Sequence, residues 1–131
     1  MSNFLEALSS GLEQARRMDQ NKRDINNKLE ELNSSLQSAT DGKVAFSFTL
    51  DENNPWGAPQ YNILAINPLN ESVEPRLLGM WIEDPTNGFP CHLKTGRSAV
   101  ICNSLEEIEL AFSELVSSPP VASFFLTLMS N

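Results

Sequence analysis

Along the first third of the chain, Phe4, Leu8, Gly11, Ala15, Met18, Lys22, Ile25, Leu29, Leu32 and Leu36 follow one another in steps of four and three, with Gly11 and Lys22 the two breaks. That spacing holds one narrow apolar stripe on a single side of an α-helix, as in the seam of a coiled coil. Two start signals compete. Asn3 with Glu6 forms one capping box, and Ser10 with Glu13 forms another just after the helix-weakening Ser9-Ser10-Gly11, so the helix either runs from Asn3 or kinks or restarts at Gly11. Asp41-Gly42 signals its end.

The period then changes to two. Val44, Phe46, Phe48 and Leu50 alternate with Ala45, Ser47 and Thr49, as in a strand with one buried face. A second strand is expected over 61–66, ended by Asn67-Pro68, and a third over 77–83. Asp84-Pro85-Thr86-Asn87-Gly88 is a hairpin connection to a fourth over 89–94, and Thr95-Gly96-Arg97-Ser98 a tight turn into a fifth over 98–103. If Gly96-Arg97 is a two-residue turn, Cys91 opposes Cys102 and Leu93 opposes Val100. Phe89, Cys91, Leu93, Val100 and Cys102 then share one face, and His92, Lys94, Ala99 and Ile101 the other.

Helical periodicity returns at Ser104-Leu105-Glu106-Glu107, a capping box ahead of Ile108, Ala111, Phe112, Leu115 and Val116. Ser117-Ser118-Pro119-Pro120 ends that helix and opens a short last one bearing Val121, Phe124, Phe125 and Leu128. The expected fold class is α+β: a long N-terminal helix, a mainly antiparallel sheet of about five strands, and two C-terminal helices packed on the sheet. The change of period divides the chain into a helical segment, 1–38, and an acidic α+β domain, 43–131.

Charge separates these segments. Residues 1–38 hold five Lys/Arg against six Asp/Glu, and the rest of the chain four against eleven, within a net charge of −8. An acidic body repels phosphate, which argues against nucleic acid and anionic membranes and favours a partner with a basic surface. The first 17 residues lack the apolar core of a secretion signal, and no stretch approaches the ~18 apolar residues of a membrane span, so a cytoplasmic location is expected.

Candidate chemistry is sparse. His92 is the sole histidine, and its neighbour Cys91 would point to the opposite face of a strand, which denies the two a nucleophile–base geometry. Two cysteines and one histidine without a C-x-x-C fall short of a zinc set, and reduced core thiols are the simpler reading. Asp84 suits a turn, and Glu106, Glu107 and Glu109 suit a helix N-terminus. Phosphate-loop, dinucleotide and nucleophile-elbow patterns are absent, so no catalytic, cofactor or metal residue is assigned. The pair Arg16-Arg17 with Lys22-Arg23, interleaved with Asp19 and Asp24, reads as a solvated helix flank. Trp56, in Asn-Pro-Trp-Gly-Ala-Pro, either covers a sheet edge or anchors a partner.

Length decides among binding roles. A helix over 3–37 spans about 52 Å, whereas a body of the remaining residues is about 32 Å across, leaving about 20 Å uncovered. The expectation is a non-enzymatic interaction or assembly protein, a homo-oligomer with a dimer favoured, joined through Met18, Ile25, Leu29, Leu32 and Leu36. Two alternatives fit the same chain: a small acidic chaperone or immunity-type inhibitor bound to a specific protein, and a small enzyme using His92.

Overall fold

The computed structural model describes residues 2–52, 59–96 and 98–130. Helix α1 (Ser2–Ala39) runs through Gly11 without a break. A glycine weakens a helix by about 1 kcal/mol but keeps its N–H donor, so the hydrogen-bond ladder continues where a proline would interrupt it. Beyond Ala39, Asp41 (φ 53°) and Gly42 (φ 77°) turn the chain, and the Gly42 N–H donates back to the Gln37 carbonyl at 2.8 Å. The Thr40 hydroxyl donates to the Leu36 carbonyl and accepts from the Val44 N–H, closing the helix end onto the first strand.

Strands β1 (Ala45–Leu50), β2 (Gln60–Ile66), β3 (Arg76–Asp84), β4 (Gly88–Thr95) and β5 (Ser98–Cys102) form one antiparallel meander in chain order. The β4–β5 register pairs Cys91 with Cys102 and Leu93 with Val100, as expected. A bulge between Ile63 and Leu64 shifts the β2–β3 pairing, and Leu78 enters the core beside Trp81. At Gly79 a Cβ would stand 2.4 Å from the Lys94 carbonyl oxygen, so only glycine permits this approach of β3 to β4.

Helices α2 (Leu105–Ser117) and α3 (Pro119–Met129) follow. The Ser104 hydroxyl accepts from the Glu107 N–H and the Glu107 carboxylate accepts from the Asn103 N–H, fixing where α2 begins. Its buried stripe is Ile108, Ala111, Phe112 and Leu115. Phe112 sets its ring against Phe46 and Trp81, both with centroids at 5.5 Å. Asn67, buried at the end of β2, donates to the Leu128 carbonyl and accepts from the Leu69 N–H, tying α3 to the sheet.

The second half of α1 belongs to this core. Ile25 and Leu29 join Phe46, Ile63, Trp81, Cys91 and Leu93 in one apolar cluster, with Leu32 and Leu36 packed against it. The suggested division between 1–38 and 43–131 therefore does not divide the core. Asn33 shows why α1 lies where it does: it accepts from the Phe46 N–H at 2.8 Å and donates to the Phe46 carbonyl at 3.1 Å. These are the outward-facing groups of an edge strand, so the helix side chain takes the place of a sixth strand. Lys28 meets Glu109 at 3.3 Å and links α1 to α2.

Candidate functional site

Two features of α1 stand out, its free end and the cleft under its middle. Every residue from 3 to 17 is exposed, and partial burial begins at Met18. Fifteen residues correspond to a projection of about 22 Å. Along it, Phe4, Leu5, Leu8 and Leu12 are 70%, 63%, 49% and 48% exposed. These positions lie three, four and seven apart, so they line one side of the helix. Isolated exposed leucines are ordinary, but a run of four on a projecting helix forms an apolar stripe.

The residues expected to form the contact surface lie mostly against the chain's own core. Ile25 is fully buried and Leu29 nearly so within the chain's own core, Leu32 and Leu36 pack against that core, and only Met18 stands at its margin. The sheet already covers the C-terminal half of the seam. The uncovered part is the N-terminal half, where Leu5 and Leu12 flank the seam positions and widen it.

The cleft lies between α1 and the helix-facing side of the sheet, at the end where β1 leaves and β2 begins. Its volume is about 450 Å³. Lys22, Asn26, Leu29, Glu30 and Asn33 recur at helical spacing to form one wall, and Phe48, Tyr61, Trp81 and Glu83 form the other. Trp81 and Glu83 are two apart on β3 and point to the same side, which places a carboxylate on the apolar face. The Trp81 indole N–H donates to Glu83 Oε2 at 2.8 Å. Burial raises the Glu83 pKa above the ordinary glutamate value, opposed by that hydrogen bond and by the charge of Lys22. Asp84 behaves oppositely: the Asn87 and Thr86 backbone N–H groups bond its carboxylate and lower its pKa.

The sequence reading had given Glu83 no role. Its signal was an acid in phase with Trp81 on the side of β3 that faces the core, where charged residues are rare. His92 lies on the opposite face of the sheet, between Ile82 and Ile101 on the neighbouring strands, with Cys91 pointing into the core. The two are not brought together. Cys91 and Cys102 are free buried thiols, raised by burial to about 12 and about 11. Among the described residues no cluster of three or more His, Cys, Asp or Glu is placed to hold a metal ion. Among them, too, no helix is long and apolar enough to cross a membrane. Trp56 lies outside the described residues.

No protein-family model matches the chain, and no curated protein or solved structure is detectably similar to it.

Proposed function

We propose that the chain is a non-enzymatic assembly protein that pairs with a second copy through the projecting end of α1. What supports the reading is one observation: Phe4, Leu5, Leu8 and Leu12 stand 48–70% exposed on an uninterrupted helix whose first partly buried residue is Met18. A solvent-exposed helical extension of this length is marginal alone, and burial of its apolar side stabilises both the helix and the contact.

The magnitude is modest. Full burial of a Leu or Phe side chain contributes about 1.5–3 kcal/mol. Scaled by the exposures above, the four side chains offer about 3–7 kcal/mol per protomer, and a two-fold symmetric contact uses them twice. Association itself costs about 4–15 kcal/mol. Gain and cost are of the same order, so assembly depends on concentration, and one aspartate in the stripe suffices to remove it. A light-scattering concentration series on the full chain tests this. Growth from monomer toward dimer mass is expected, abolished by Leu8→Asp, and a strict monomer at high micromolar concentration overturns the proposal.

A further inference from the structure

The cleft under α1 carries an inference separate from self-assembly. We propose that it receives the cationic side chain of a protein partner, arginine in preference to lysine, with Glu83 as counter-ion and the rings of Tyr61 and Phe48 as walls.

Glu83 uses Oε2 to accept the Trp81 indole N–H. Its other oxygen has no hydrogen-bond partner among the described residues, yet no side-chain oxygen there is both fully buried and unpartnered. Oε1 is therefore accessible, on a residue that lines the cleft. Among the described residues no cation comes within 4 Å of the carboxylate. Lys22 acts on it only across the gap, and Glu30 and Asp84 on the rim leave the walls acidic on balance.

A carboxylate set into an apolar wall with no cation in contact, only the more distant charge of Lys22, costs stability that a leucine there would avoid, and an acid held this way in a cleft is suited to binding a cation. Beside it, Tyr61 and Phe48 are half-buried and line the cleft, whereas Trp81 is fully buried and serves to hold Glu83. A planar guanidinium stacks on such a ring while donating edge-on to a carboxylate, a combination a lysine ammonium performs less well. The volume, about 450 Å³, admits an arginine side chain with adjoining backbone. The net charge of −8 favours the approach of a basic segment.

The test uses the full-length chain labelled with ¹⁵N and N-acetyl-arginine methylamide as probe. The neutral citrulline counterpart, of nearly the same shape, is the control. The Trp81 indole resonance is the reporter because its proton bonds the proposed counter-ion. The arginine probe is expected to shift that resonance saturably, with the citrulline compound weaker by roughly tenfold or more. Glu83→Gln, which keeps an acceptor for the indole, is expected to weaken the arginine probe to a similar extent. Absence of a shift, an equal response to citrulline, or undiminished binding by Glu83→Gln overturns the proposal. The citrulline comparison is made on the unmodified chain, so it stands even if the variant folds poorly. Neither arm touches Leu8 or Leu12, so failure here leaves the assembly proposal standing.

Discussion

Replacing Ile25 with Ala separates a core role for the seam from a contact role. Ile25 is fully buried, and its Cδ1 reaches 3.0 Å from where a Cβ on Gly88 would stand, at a turn residue held at φ 82°. The substitution removes three buried carbons, worth about 2.4 kcal/mol at about 0.8 kcal/mol each. The cavity adds to this, because α1 is pinned on either side by the Asn21 bond to the Asn87 carbonyl and by Asn33 on Phe46 and cannot settle inward. A total loss of about 3–4 kcal/mol is expected, a large share of the 5–15 kcal/mol that holds a domain together. Urea unfolding at several protein concentrations measures it, with the slope unchanged and the midpoint lowered equally at every concentration. The matched control, Leu12→Ala on the projecting end, is expected to change stability in dilute solution by less than about 0.5 kcal/mol. A loss under about 1 kcal/mol for Ile25→Ala, or one that varies with protein concentration, would refute the placement of this residue in the chain's own core.

Three further outcomes follow from the same geometry. Asn33→Ala strips the outward N–H and carbonyl of Phe46 of their partners and should cost about 1–3 kcal/mol in urea unfolding; an unchanged midpoint would show that water serves the β1 edge equally well. Because burial raises the Glu83 pKa, the native state binds this proton more tightly than the unfolded state, and the contribution of Glu83 to stability falls as pH rises from the ordinary glutamate value through the raised one. Glu83→Gln lacks that slope, so it should gain on the wild type as pH rises across that window, and a parallel pair of stability curves would contradict the assignment. With Cys91 and Cys102 raised to about 12 and about 11, a thiol-reactive dye at pH 8 should label the native protein slowly and both cysteines promptly after denaturation; prompt native labelling would exclude their burial.

What the amino-acid pattern made legible was whatever local chemistry dictates. The short link from Thr95 to Ser98 predicted the β4–β5 register because so short a connection leaves no slack, and Ser104 with Glu107 set the start of α2 because a capping box satisfies particular N–H groups. Asp41-Gly42 stopped α1 for the same kind of reason, a left-handed pair that a helix cannot include. The missed features were those that depend on what lies opposite. The heptad stripe from Phe4 to Leu36 is continuous, so periodicity identifies the apolar side of α1 but not which half the sheet covers. The structure buries Ile25 and Leu29 and leaves Phe4 and Leu8 bare, the reverse of the expected emphasis. Leu5 and Leu12 went unassigned because they flank the ideal track. Glu83 stayed hidden beside a turn, although its phase with Trp81 pointed it toward the cleft. Lys22, a break in the stripe by sequence, lies on the cleft wall where α1 passes over open space, so it needs no apolar partner.

Assembly through the projecting end of α1 is the claim on which the functional reading rests, and sedimentation velocity of the full chain across a concentration series tests it most directly. The account predicts a sedimentation coefficient that rises with concentration from a monomer toward a dimer, and a Leu8→Asp, Leu12→Asp double variant that stays monomeric throughout while keeping the wild-type urea midpoint in dilute solution. A wild-type chain that remains a monomer at high micromolar concentration, or a double variant that associates as readily as the wild type, would contradict it.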